Sequence, residues 1–362
     1  IKFIIPSEDI SIETLLKDID LTPTTLHFEL HFLSEVFIKQ LLAIPSKFGI
    51  YINLDIIGNL ARTGNWYYNL KKDHEILNSI ITNNKQSNPS SILSIDASLY
   101  QNSGANIVQQ LAYALSHANE YLNHFGEKVK NKINFKVSTG TNYFFEIAKI
   151  RALRLLWNTL ISEYSSNISE CHIIATPTKR NKTIYDYNTN MLRTTMECMS
   201  AILGGVNTIS NLPYDAIYHK DNEFGERISR NQLLILKHES YFNKVDNPAD
   251  GAYYIETLTQ QLAEKALIIF KDIEANGGFL KQLKEGTIQR KIKESAAKEQ
   301  ALFNNKEEVI LGANKYPNLN DKMKHELELY PFVKQNKRKT LIEPIIEKRL
   351  SEELEQERLK NE

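Results

Sequence analysis

The sequence predicts an α/β fold organised on a parallel sheet, and two observations carry that prediction. Short runs rich in β-branched and aromatic residues recur along the chain, with helical patterns between them. Parallel neighbours need a crossover, so strand–helix alternation repeated seven times implies one parallel sheet. The runs also read as nearly continuous apolar segments, as expected of strands buried on both faces.

The strand runs fall at Lys2–Ile5, Leu26–Leu30, Gly49–Leu54, Ser91–Asp96, Ile133–Ser138, His172–Thr176 and Val206–Ser210. Between them, Ile107–Leu122 and Tyr143–Leu160 read as helices. In the second, Phe144, Ala148, Arg151, Leu155 and Leu160 progress round a face that Ile147, Ile150 and Leu153 widen. Further on, Asn247-Pro248 and Asp250-Gly251 form a turn, because Pro presets φ and Gly accepts positive φ. Thr257 is the candidate N-cap of the helix that follows. Its stripe is Leu258, Leu262, Ala266, Ile269 and Ile273, and Gly277-Gly278 stops it. From Asn318 the chain turns polar. Leu341–Leu359 reads as a charged helix with a sparse stripe of Ile342, Ile345, Ile346, Leu350 and Leu354. The expected organisation is one large domain over residues 1–317 and a charged helical arm over 318–362. A closed eight-stranded barrel and an open doubly wound sheet both satisfy the alternation. In a barrel, the eighth strand lies upstream of Ile1 or is unrecognised.

Composition excludes several classes. The 362 residues are 42% hydrophobic and 24% charged, which is ordinary for a globular enzyme domain. The 44 basic and 44 acidic residues cancel, so no field advertises nucleic acid or an anionic membrane. No apolar run approaches the roughly 20 residues that span a bilayer. The chain opens at Ile1 rather than Met, with no basic-then-apolar leader. Cys171 and Cys198 form no motif and fit a reducing cytoplasm, the expected location.

Three pieces between Val245 and Tyr316 resemble the barrel domain of the methylmalonyl-CoA mutase family. Asn247-Pro248-Ala249-Asp250-Gly251 leading into Tyr253-Tyr254-Ile255-Glu256 is similar to that family's Asp-Pro-x-Gly-Gly turn and Tyr-x-x-Glu helix start. Ile273-Glu274-Ala275-Asn276-Gly277-Gly278 is similar to its Ile-Glu-x-x-Gly-Gly stop, and Leu311-Gly312-Ala313-Asn314-Lys315-Tyr316 to its Val-Gly-x-Asn-x-Tyr strand. Upstream, Gly140–Ala152 resembles its Gly-x-Asn-Phe-x-x-Glu-Ile-Ala-Lys-x-Arg-Ala stretch, and Phe224–Asn231 its Phe-x-x-Arg-Ile-x-Arg-Asn stretch. The resemblance implies a (β/α)8 TIM barrel with a C-terminal helical extension, the large domain being the family's substrate barrel.

The same alignment shows where the family's chemistry is lost. Catalytic members end one strand in Arg-Thr-His-x-Gln-Thr-Ser-Gly-Trp, whose His can hydrogen-bond the migrating thioester carbonyl. Met191–Met199 matches the family's Val-Arg-Thr-x-x-Glu-x-Met run. Anchored there, the His position falls on Ile174, the Gln on Thr176 and the Gly-Trp on Lys179-Arg180. An isoleucine cannot donate a hydrogen bond or polarise a carbonyl. His172 lies two residues away on the same strand face. No Asp-x-His-x-x-Gly signature for a cobalt ligand is present. The resemblance therefore implies the family's small, non-catalytic subunit. Its partner would be a large catalytic subunit in a heterodimer that binds adenosylcobalamin and interconverts succinyl-CoA and methylmalonyl-CoA. No catalytic residue and no cofactor are expected on this chain, and the arm is a candidate contributor to pairing. The barrel mouth is expected to be narrowed by Ile174, Pro177 and Arg180. The alternative is a self-sufficient barrel enzyme acting on another acyl-CoA or small acid through His172, Lys179 and Arg180 at a strand end.

Three arginines are the candidate binding residues. Arg227 and Arg230 lie one helical turn apart and could hold a phosphate or carboxylate in bidentate fashion; Arg151 has the same status. Such arginines more often brace a helix against a loop or a partner. His27 and His31 lack a third ligand, so no zinc site is expected. Gly204-Gly205 fits a helix-to-strand turn rather than a phosphate cradle.

Overall fold

The computed structural model describes residues 1–83, 91–166, 170–334 and 338–362. Its sheet is parallel and seven-stranded, in the order β1 (Lys2–Ile5), β2 (Leu26–Leu30), β3 (Ile50–Leu54), β4 (Ser91–Asp96), β5 (Ile133–Thr139), β6 (His172–Pro177) and β7 (Thr208–Ile209). The helices are α1 (Ile12–Leu16), α2 (Glu35–Leu42), α3 (Ile56–Thr63), α4 (Leu70–Asn83), α5 (Ser98–Asn102), α6 (Ile107–Phe125) and α7 (Tyr143–Tyr164). After them come α8 (Thr189–Leu203), α9 (Glu223–His238), α10 (Tyr253–Ala275), α11 (Phe279–Lys284), α12 (Thr287–Asn304) and α13 (Glu352–Lys360).

Contacts across the sheet decide between the two architectures. Tyr51 on β3 stacks on His172 of β6 with ring centroids 3.9 Å apart, and His27 on β2 lies 5.3 Å from His172. In a flat sheet β2 and β6 would stand roughly 19 Å apart at the usual strand spacing. The sheet is therefore curled into a TIM-type barrel, and these rings meet inside it. Among the described residues β1 pairs only with β2 and β7 only with β6, and no eighth strand joins them.

The strands are not apolar on both faces. Alternation puts Leu26, Phe28, Ile50, Ile52, Leu54, Ile133, Phe135, Val137, Ile173 and Ala175 outward into the main core against the helices. The other face carries His27, Glu29, Tyr51, Asn53, Ser94, Asp96, Asn134, Lys136, His172, Ile174 and Thr176. The lumen is thus polar and charged, contrary to the expectation of continuous apolar strands.

Helix α10 buries Leu258, Leu262, Ala266 and Ile273 as its stripe predicts. It starts earlier than expected, with Ala252 at the N-cap, and Thr257 instead donates to the Tyr253 carbonyl. Gly277 and Gly278 stop it at φ +100° and +87°, with the Gly278 N–H returned to the Ile273 carbonyl.

The arm differs from its sequence reading. Only Glu352–Lys360 is helical, and residues 341–350 run as an irregular strap over the barrel. Pro344 is the reason: it lacks an N–H and restricts Glu343, so no helix runs through it. The strap's N–H groups pair elsewhere, Leu341 with Gly64, Ile345 with Ala61, Lys348 with Asn102 and Leu350 with Arg180. Gly64 has φ +79°, and an added Cβ would come within 2.7 Å of the Ile342 carbonyl, so that close approach requires glycine. Ile342 and Ile345 are buried in the main core and Leu350 against Phe303, Ile310 and Ala313, leaving Leu341 and Ile346 exposed. Three of the stripe's five residues are thus covered within the chain, while Ile346 is not.

Candidate functional site

The lumen is built in layers. At the N-terminal end, His27, Tyr51 and His172 stack, and Thr208 Oγ1 lies 3.0 Å from His172 Nε2 and 3.4 Å from His27 Nε2. Burial pushes the His27 imidazole down to about 3, and repulsion from a protonated His172, the N-terminal amine and Lys2 adds to it. Burial also pushes His172 down to about 4, with Arg154 adding to it. Both rings are therefore neutral. His172 begins β6, whereas Lys179 and Arg180 follow its end, about 17 Å further along at strand rise. The three groups of the self-sufficient enzyme reading do not come together.

The next layer holds Ile174. It is fully buried, registered between Lys136 on β5 and Thr208 on β7. Around it the lumen is crossed by charge. Lys136 Nζ donates to Glu29 Oε1 at 2.8 Å and to Asp96 Oδ2 at 3.3 Å. Lys2 holds the other Glu29 oxygen at 2.8 Å. Arg62 on α3 donates to Asp96 at 2.7 Å and to Glu347 of the strap at 2.6 Å. Burial pushes the Glu29 carboxyl up, but Lys136, His31 and Lys2 outweigh it and hold it well below the usual carboxylate range. Three cations meet three carboxylates, so this network neutralises itself.

Asp55, the N-cap of α3, closes the far side. It accepts from Gly58 N at 2.7 Å, His117 Nε2 at 2.9 Å, Tyr121 OH at 2.9 Å and Asp96 N at 2.9 Å. A cavity of about 320 Å³ lies above these groups, bordered by Asn53, Ser94, Tyr67 and His31 among others. The mouth is narrowed by Glu29, Lys136, Asp96 and the strap's Glu347. Arg180, expected there, turns away to Glu299 at 2.6 Å and to the Lys348 carbonyl at 2.7 Å. Pro177 points outward by alternation with Thr176.

Two buried ion pairs hold the loops beside the mouth. Lys182, in the loop after β6, donates to both oxygens of Glu197 on α8 at 2.7 and 3.0 Å, and Asn181 adds a third bond. Lys149 pairs with Glu146 and donates to Gln101, Gln110 and the Ser138 carbonyl. A larger cavity, about 880 Å³, opens between the loops after β4–β6 and helices α10 and α12, with Leu192, Leu262 and Ile269 on its walls.

The predicted arginines lie elsewhere. Arg151 on α7 donates to Asn247, Asp250 and Glu256, tying α7 to the turn before α10. Arg227 and Arg230 are exposed on α9, form no ion pair among the described residues, and border neither cavity. The residues the sequence reading passed over are Glu29, Asp55, Arg62, Asp96 and Lys136. Their signal was present: Glu29, Asp96 and Lys136 are charged residues inside strand runs, which a both-faces-apolar strand does not tolerate.

The resemblance implies adenosylcobalamin, and the residues here do not fit it. At the barrel mouth, His117 is buried with one ring nitrogen on Asp55 and the other on the Tyr100 hydroxyl. His31 is the other imidazole there, beside Glu29 and followed by Phe32-Leu33-Ser34 rather than by a cobalt-ligand signature. The strap, with Glu347 clamped on Arg62, covers the ends of β3 and β4.

Comparison with known proteins gives a consistent picture. A family model described as methylmalonyl-CoA mutase matches residues 8–361. The chain is 38% identical over 240 residues to the methylmalonyl-CoA mutase small subunit of Porphyromonas gingivalis, covering 64% of this chain and 39% of that one. It is 37% identical over 234 residues to methylmalonyl-CoA mutase of Rhizobium meliloti, covering 62% and 33%. Against the enzyme of Cereibacter sphaeroides the identity is 34% over 276 residues, covering 73% and 39%. The matched region spans less than two-fifths of each relative.

Proposed function

The chain belongs to the methylmalonyl-CoA mutase family, and from that membership we propose that it is the small, non-catalytic subunit of an adenosylcobalamin-dependent mutase. Succinyl-CoA and methylmalonyl-CoA are the substrates of the assembly. A larger homologous chain supplies the catalytic His and holds the cobalamin, which provides the radical chemistry; this chain stabilises that partner in the cytoplasm. The observation that carries the reading is Ile174, a side chain unable to polarise a thioester, in the position where catalytic relatives have their His.

The rest of the lumen supports it. The stacked His27, Tyr51 and His172 rings fill the axis, and the charges of Lys136, Glu29, Asp96 and Arg62 satisfy one another. The cations of the lumen are thus paired with carboxylates rather than free to polarise a substrate carbonyl placed near Ile174. No helix among the described residues is long and apolar enough to cross a membrane.

Co-expression with the larger homologous chain tests the pairing. A one-to-one complex is expected, with an interface above the roughly 1,600 Å² of a standard complex; a chain that never co-elutes with its homologue contradicts it. Calorimetry on this chain alone is expected to show weak or no binding of either CoA ester. A micromolar dissociation constant, about −8 kcal/mol, would mean the lumen opens to substrate.

A further inference from the structure

We infer that the 880 Å³ cavity between the loops after β4–β6 and helices α10 and α12 is a binding site for a small primary amine with an apolar body. Its volume lies in the range of small-molecule sites, which are concave, mostly apolar and carry a few orienting polar groups. Ile107, Val108, Phe145, Leu192, Leu262 and Ile269 supply the apolar walls. Ile107, Val108, Phe145 and Ile269 are half-buried and Leu192 is exposed, so a ligand can reach this surface.

Two neighbouring carboxylates set the charge of the ligand. Glu299 on α12 and Glu308 in the loop after it both border the cavity. Arg180 Nε and Nη2 both reach Glu299 Oε2 at 2.6 Å, leaving Oε1 without a hydrogen bond among the described residues. Glu308 is exposed, and its carboxylate forms no ion pair or hydrogen bond among the described residues. Partial burial and the Glu299 charge push the Glu308 carboxyl up, with no cation to offset them.

The cations of the wall are engaged. Arg180 is held by Glu299 and the Lys348 carbonyl. Arg193 donates to Thr183, Asn190 and the Leu311 carbonyl, and its charge is faced by Glu197, Asp186 and Glu355. Glu146 is already paired with Lys149. Glu299 Oε1 and both oxygens of Glu308 therefore remain as acceptors. An ammonium brings three donors to them, whereas a carboxylate of the same shape meets like charge. An anionic CoA ester is disfavoured on the same ground, so the site stands apart from the mutase reading.

Ligand-observed NMR on the full chain, with hexylamine, hexanol and hexanoate as probes of one shape, tests this. Hexylamine is expected to saturate in the millimolar range, as a ligand this small permits. Hexanol should bind about threefold more weakly and hexanoate about tenfold more weakly, as a partly exposed charge pair permits. Glu308→Gln should bring hexylamine down to the level of hexanol and leave hexanol unchanged. Ser295→Trp, which places a ring in the cavity from α12, should abolish saturation by all three. Far-UV circular dichroism checks that each variant folds, and Glu308→Gln, in an exposed loop, carries the test if Ser295→Trp does not fold. Hexanoate binding as tightly as hexylamine, or hexylamine affinity unchanged in Glu308→Gln or in a folded Ser295→Trp, would overturn the assignment.

Discussion

Glu197→Ala is expected to destabilise the folded chain by about 3–5 kcal/mol, the usual result of stripping one partner from a buried ion pair. Lys182 and Glu197 are both fully buried, and the ammonium donates to both carboxylate oxygens. Burial lowers the Lys182 amine and raises the Glu197 carboxyl, and each is partly rescued by the other. Removing the carboxylate leaves a fully buried ammonium with only Asn181 as a partner among the described residues. The melting temperature should fall on the order of 10 °C. Glu197→Leu combined with Lys182→Met should recover most of the loss, because the charges are removed together. A single variant that melts with the parent chain would mean that the pair is solvated in solution.

Acid should destabilise the chain beginning near pH 6.5. His27 and His172 have folded values of about 3 and about 4, below the ordinary 6.5. The unfolded chain therefore binds more protons between pH 6.5 and 4, and stability must fall as pH drops through that window. The contribution is complete above 6.5 and is lost towards the folded values. At 1.36 kcal/mol per unit, His172 alone accounts for about 3 kcal/mol by pH 4. Urea unfolding measured every half unit from pH 7.5 to 4.5 reads it directly. His172→Phe keeps the ring stacked on Tyr51 and should flatten the slope. An unchanged slope in that variant would place the acid sensitivity elsewhere.

The strands were legible because their apolar faces are long and regular. Five of the seven runs have their starts at the observed residue, and β7 is shorter than its run because Asn207 and Ser210 only flank it. The polarity of the lumen was missed because the runs were read as nearly continuous apolar segments, although Glu29, Asp96 and Lys136 stand inside them. They are one face of three strands. The convergence of Glu29, Arg62, Asp96, Lys136 and Glu347 has no local signature, since they arrive from four elements and the strap, with separations up to 285 residues. The arm was misread through its stripe spacing, which ignored Pro344. Ile174 was the opposite case. Its place on β6 followed from a motif alignment, and the structure adds what surrounds it: Lys136 and Thr208 as neighbours on the adjoining strands.

The proposed non-catalytic role means that this barrel has lost its own chemistry. The most direct test is a coupled turnover assay on the purified chain, supplied with methylmalonyl-CoA and saturating adenosylcobalamin. With Ile174 in the His position and the lumen's charges paired with one another, no turnover above background is predicted. Cofactor-dependent formation of succinyl-CoA by this chain alone would contradict it.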